Sequence, residues 1–192
     1  IRVMIGGKMT EKKVKEDNRS VKPGDREFQI GDLAVYPAHG VGEIQAIESR
    51  VVNGEKHDFY IMKVLENGMV IMIPTSNVAS VGLRNIIDKK EVPKVYEVMK
   101  FRKDGLPDNQ TWNRRYREYM DKIKTGSLYD VAEVFRDLFL LKLTKDLSFR
   151  ERKLYDTAQV LLVRELSTAK NKDEDAILSE LESLFVADTP EN

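Results

Sequence analysis

The stretch from Gly42 to Ile73 reads GEIQAIESRVVNGEKHDFYIMKVLENGMVIMI, and two Asn-Gly pairs, Asn53-Gly54 and Asn67-Gly68, part its apolar runs. Asn-Gly between runs of β-branched and aromatic residues is a strong hairpin signal, because the central residues of the favoured tight turn need positive φ. Extending the reading backwards adds Leu33-Ala34-Val35-Tyr36, so strands are expected over Leu33–Tyr36, Gly42–Ile47, Phe59–Leu65 and Met69–Ile73. A meander of about five short strands can cover its own edges only by curling into a small barrel. Gly31, Gly40 and Gly42 suit the corners of such a barrel, where strands bend sharply.

Beyond Val81 the period turns helical. Asp88-Lys89-Lys90-Glu91 has capping-box form before a helix over Val92–Phe101, with Pro93 placing the start close to it. A loop with Gly105-Leu106-Pro107-Asp108 precedes a basic helix over Thr111–Lys124, which Gly126 ends. Ser127 caps a helix to about Leu143, Ser148-Phe149-Arg150-Glu151 opens another to about Ala169, and an amphipathic helix follows over Asp173–Phe185. Val131, Val134, Phe135, Leu138, Leu161, Leu162 and Leu166 read as bundle core. The expected class is α+β: a β-barrel over residues 28–84, then an all-α helical bundle over 85–187. Residues 1–27, polar and holding Lys22-Pro23-Gly24-Asp25, are expected to form a flexible arm, and 188–192 a flexible tail. The opening Ile1 suggests a trimmed start, with Met4 and Met9 both open as the native first residue.

Composition narrows the function. At 192 residues, 41% hydrophobic and 33% charged, the chain can build one large domain or two small ones. Cys 0 rules out disulfides, thiolate metal sites and a cysteine nucleophile, and fits a cytoplasmic location. The run Val3-Met4-Ile5 is too short for a signal peptide, and no apolar stretch suffices to span a bilayer. The formal net charge of +0 hides an uneven distribution. Residues 82–170 hold 20 Lys and Arg against 14 Asp and Glu, net +6, whereas 171–192 hold 1 against 7, net −6.

No catalytic constellation stands out. His39 and His57, the only histidines, read as surface loop residues without metal-ligand spacing. Gln45 stands where a dinucleotide fingerprint starting at Gly40-Val41-Gly42 would need its third glycine. Acidic residues are matched by Lys and Arg at helical spacing, which reads as a solvated face. Neither an enzyme nor a cofactor-binding protein is expected.

Two stretches could carry binding. In Thr111-Trp112-Asn113-Arg114-Arg115-Tyr116-Arg117 the only Trp stands beside three arginines at a helix start. Arg114 and Arg117 share a face and could reach a phosphate backbone while the indole wedges at a base step; equally, Trp112 could anchor the core with the arginines on ordinary helix surface. Val70-Ile71-Met72-Ile73-Pro74 is apolar throughout and ends in Pro, so it is either buried on both faces or an edge strand offering one face to a partner.

Taken together, Phe28-Gln29-Ile30-Gly31-Asp32, Val35-Tyr36-Pro37, His39-Gly40-Val41-Gly42, Ile47-Glu48, Pro74 and Val81-Gly82-Leu83-Arg84 resemble the amino-terminal domain of the CarD/CdnL family of bacterial transcription regulators. Trp112 to Arg117 and Leu154-Tyr155-Asp156-Thr157-Ala158 resemble the family's helical domain. The resemblance implies a Tudor-like or SH3-like barrel that binds the β subunit of RNA polymerase through positions matching Arg50, Met72 and Pro74. Some relatives carry Arg where this chain has Met72, so a more apolar contact is implied here. It also implies that Trp112 enters the minor groove at the upstream edge of the promoter bubble while Arg114, Arg115 and Arg117 meet the backbone, stabilising the open complex. The alternative is an adaptor whose bundle binds protein rather than DNA.

Overall fold

The computed structural model describes residues 27–101 and 111–186. The expected arm, apart from Glu27, lies outside the described residues, as do the Gly105-Leu106-Pro107-Asp108 loop and the tail. Five strands form one antiparallel sheet: β1 Leu33–Tyr36, β2 Gly40–Val52, β3 Glu55–Val64, β4 Val70–Pro74 and β5 Arg84–Asn85, in the order β4-β3-β2-β1-β5.

The first Asn-Gly pair behaves as its sequence dictates. Asn53 and Gly54 take φ of 53° and 85°, and Val52 pairs with Glu55 across a two-residue turn. At the second pair only Gly68 has positive φ, because the Asn67 carboxamide accepts from Met69 N at 3.0 Å in an Asx turn, and the loop is longer. β2 runs well past the expected Ile47, since β3 pairs with it as far as Val52. His57 consequently sits in a strand, opposite Arg50, rather than in a loop. β5 gave no periodicity to read at two residues; it pairs with β1 through Ala34↔Asn85 and Val35↔Arg84, so the division expected between residues 84 and 85 passes through it.

Register separates the two faces of the sheet. A bulge at Gln45, between Ile44↔Met62 and Ala46↔Ile61, reverses the alternation along β2. Ile44, Tyr60, Met62 and Ile73 therefore turn inward, where Phe28, Ala34, Val78 and Leu83 close the core. Phe28 meets Tyr60 edge-to-face at 5.9 Å, and its amide donates to the Tyr60 hydroxyl at 3.2 Å. A 3-10 turn over Thr75–Asn77 and the short helix α1 Val78–Val81 connect β4 to β5.

The helical part comprises α2 Val92–Lys100, α3 Trp112–Thr125, α4 Leu128–Thr144, α5 Phe149–Lys170 and α6 Glu174–Val186. Caps set most of these ends. Gly126 ends α3 at φ 75°, Ser127 Oγ accepts from Asp130 N, and Ser148 with Glu151 forms the full capping box of α5. The box expected at Asp88 does not form: Asp88 accepts from Lys90 N, and the Glu91 carboxylate is taken by Lys94 Nζ and the Tyr129 hydroxyl. Pro93 in the first turn starts α2 without it. Val95, Met99, Phe135, Leu138, Leu162, Leu166, Ile177 and Leu181 fill one continuous core.

Sheet and bundle meet on the outer face of the sheet. Val35 and Val41, paired across β1 and β2, point away from Ala34 yet are buried, with Leu161 of α5 against Gly40. Further along, past the bulge, the other described residues leave the same outer face exposed or half-buried.

Candidate functional site

Two surfaces carry the residues singled out in the sequence. On the sheet, cross-strand rows Glu48↔Phe59↔Pro74 and Ala46↔Ile61↔Met72 lie side by side, and Arg50↔His57 forms the next row beyond Glu48. Opposed residues share a face, so Arg50, Met72 and Pro74 stand together on the uncovered outer face. β4 ends the strand order, and its apolar run resolves by alternation: Val70 and Met72 are exposed at 57% and 41%, while Ile73 is buried. Of the two readings of this run, the edge strand with one open face is the one adopted. Arg50 is held along β2 by Glu48, Nη2 donating to Oε2 at 2.8 Å. Phe59 and Ile61, half-buried between Arg50 and Met72, complete the apolar part of the face. Their place there was not legible, because it depends on the one-residue shift at Gln45.

The second surface is the end of the bundle where α3 begins. Helical geometry puts Trp112 on the side of Tyr116, Tyr119 and Ile123, packed against the bundle core but half-exposed at the helix tip. Its ring lies 5.9 Å from that of Tyr116, and the Arg115 guanidinium carbon stands 5.9 Å from the indole centroid. Arg114 and Arg117 are exposed on the opposite side of the helix. Arg114 Nε donates to Glu118 at 3.1 Å. The four residues named from sequence thus do not form one patch: Trp112 groups with Arg115, and Arg114 with Arg117. Lower on the bundle-facing side, burial and the Asp137 charge push the Tyr119 phenol well above its ordinary range, so it stays neutral.

Contacts between α3 and α4 show what else lies at this end. Lys122 bonds Glu133 and Tyr119 bonds Asp137, so the helices are antiparallel and the start of α3 lies beside the end of α4. There Leu143 and Phe149 are exposed at 63% and 83%, with Lys142, Arg150, Arg152 and Lys153 also exposed. Phe149 gave no functional signal in the sequence, since it occupies an ordinary first-turn position after the Ser148 cap.

Among the described residues no group of three or more His, Asp or Glu is placed to hold a metal ion. No described helix is long and apolar enough to cross a membrane.

Comparison with known proteins covers both parts of the chain. Residues 28–87 match the CarD-like/TRCF RID domain, and residues 94–182 match the C-terminal domain of CarD. YdeB of Bacillus subtilis (strain 168), a protein named as a transcription factor, is 39% identical over 153 residues, covering 79% of this chain and 98% of its own. This chain belongs to the CarD family. A solved CdnLNt from Myxococcus xanthus is 56% identical, covering 32% of this chain and 86% of that one with a TM-score of 0.28. The solved 72-residue N-terminal domain of Myxococcus xanthus CarD is 38% identical, covering 30% and 76%, with a TM-score of 0.27. CarD family members are transcription factors rather than enzymes, and this chain has the family's two parts: a five-stranded Tudor-like sheet, then a helical domain. Membership makes it a transcription-associated protein whose amino-terminal domain is of a type that interacts with RNA polymerase.

Proposed function

We propose that this CarD family protein docks on the RNA polymerase β subunit through the outer face of β2, β3 and β4, and on promoter DNA at the upstream edge of the bubble through the α3 end of the bundle. The observation that carries the reading is the convergence of Arg50 of β2 with Met72 and Pro74 of β4 on one sheet face that the other described residues leave exposed, with Phe59 and Ile61 between them. Fully burying a Met or Val side chain contributes about 1.5–3 kcal/mol, and Val70 and Met72, exposed at 57% and 41%, can add roughly half of that each to a contact. The edge of β4, last in the order of the described strands, can add main-chain hydrogen bonds.

At the other end Trp112 is half-exposed at a helix tip, on the same end of the bundle as exposed Phe149 and exposed cations of α4 and α5. Apolar wedges beside Lys and Arg suit a minor groove whose base steps are already parted. A protein that touches polymerase and opened DNA together, and fits the closed duplex less well, shifts the equilibrium toward the open complex. Two weak contacts on one chain suffice, since the first raises the effective concentration for the second. The chain then works in the cytoplasm, associated with the nucleoid through polymerase.

One observation favours the adaptor reading instead: Trp112 packs on the same side as Tyr116 and Tyr119, and Arg114 is neutralised by Glu118. A single binding series separates the two. Affinity for the isolated polymerase β lobe, and for the polymerase–promoter complex at rising salt, is measured for the parent and for Met72→Glu. The charge at Met72 is expected to cost at least ten-fold on the lobe, about 1.4 kcal/mol, and ternary affinity is expected to fall steeply with salt as phosphate contacts do. Unchanged lobe binding would move the docking face elsewhere; a flat salt response would favour the adaptor.

A further inference from the structure

The two surfaces sit on parts of the chain joined by several contacts, among them an ion pair between Glu66, in the β3–β4 loop, and Arg164 of α5 at 2.9 Å, and a clamp at β5. Arg84, in β5 at the edge of the sheet, donates from Nη1 and Nη2 to both oxygens of Glu165 on α5, at 2.6 and 2.9 Å. Its Nε donates to the Gly126 carbonyl at 2.8 Å. Glu165, only 2% exposed, also accepts from Ile87 N at 3.0 Å. A buried carboxylate is tolerable only when its acceptor sites are filled, and here one arginine and one backbone amide fill them.

Gly126 is gripped from its other side as well. It ends α3, and a Cβ there would lie 2.8 Å from Pro37 Cγ, so the proline of the β1–β2 turn rests directly on its backbone. The same turn region meets α5, where a Cβ on Gly40 would stand 2.9 Å from Leu161 Cδ2. The carboxy-terminal end of α3 is thus held by the sheet through Arg84 and Pro37, while its amino-terminal end carries Trp112. A pin at one end of a rigid 14-residue helix fixes where the other end points.

We propose that Arg84, through its paired contacts with Glu165 and the Gly126 carbonyl, is a positioning residue that sets the angle between the sheet and α3, and so aims the Trp112 end relative to the docked sheet face. The Glu66–Arg164 pair and the packing of Pro37 and Gly40 also join sheet and bundle, and Arg84 adds a grip on α3 and α5 at once, which narrows the angles open to them. The need for a fixed angle rests on the function proposed above; the pin itself does not.

The test uses the full chain alone. Because the protein has no cysteine, Lys56→Cys in the β2–β3 hairpin and Asp121→Cys on α3 give two unique spin-label positions, both exposed in the parent. The interlabel distance distribution is measured for the parent, Arg84→Gln, Arg84→Lys, and the double variant Arg84→Gln with Glu165→Gln. The double variant leaves no unpaired buried charge and guards against simple unfolding, which circular dichroism checks. The parent is expected to give one narrow peak, and both glutamine variants a broad or multiple distribution at full helix content. Arg84→Lys, lacking the fork that reaches Glu165 and Gly126 together, should fall between them. A single narrow, unshifted peak in the folded double variant would overturn the proposal. Since neither polymerase nor DNA enters the measurement, a failure here is distinct from a failure of the docking reading.

Discussion

A Cβ added at Gly42 would lie 2.5 Å from Met62 Cε and 2.8 Å from the Lys63 carbonyl oxygen. The methionine tip can move, but the carbonyl belongs to the paired strand and cannot. Gly42→Ala is therefore expected to lower unfolding free energy by about 1–3 kcal/mol, read as a reduced denaturation midpoint at unchanged slope. Sequence marked this glycine as a corner residue, and its physical role is close strand approach. Other residues were opaque. Glu165 and Arg136 fell under the reading of helical charges as a solvated, charge-balanced face, yet both are buried, and Arg84 was singled out only as part of the family resemblance. Arg136 donates to Asp137 and to the Val98 carbonyl at 2.8 Å, tying α4 to the end of α2. A linear sequence shows that a charge has a counter-charge nearby, and does not show that the partner lies 81 positions away, as it does for Arg84. Trp112 illustrates the same limit: its neighbours in sequence are arginines, but helical rotation groups it with Arg115 and places Arg114 and Arg117 on the other side.

At the level of elements, ends governed by local chemistry were legible and ends governed by tertiary contact were not. Ser127, Ser148 and Gly126 mark helix boundaries through bonds to residues within one turn. The length of β2 and the existence of β5 depend on which strand lies alongside. Helix α6 depends on distant partners in a way that pH exposes. Glu180 accepts from Lys170 and Lys172, and then from the Tyr96 hydroxyl of α2, which together hold its carboxyl down at about 2 from an ordinary 4.5. A depressed folded value means the stabilisation is present above the unfolded value and is lost as pH falls toward the folded one. The α6 contacts are thus expected to weaken on acidification from 4.5 toward 2. Glu180→Gln should flatten that part of the thermal-midpoint profile relative to the parent, while an unchanged acid limb would place the sensitivity in other carboxylates.

For the whole molecule, the outer face of a single sheet is divided: one end is roofed by the bundle, and the other, left exposed by the described residues, is where docking is proposed. The anchor and the α3 tip are consequently parts of one frame, and the neutral total charge is compatible with a DNA role because the tether supplies what net charge does not. The two-part order was visible in the change of period after Val81, whereas the clamp between the parts was not, since its members are single residues without pattern. The most direct test of the account is the lifetime of open promoter complexes, measured at saturating concentrations of the parent chain and of Trp112→Ala, with polymerase occupancy checked in the same samples. Trp112→Ala is expected to occupy polymerase as the parent does while the lifetime falls to that seen without the protein. A lifetime equal to the parent's at equal occupancy would contradict it.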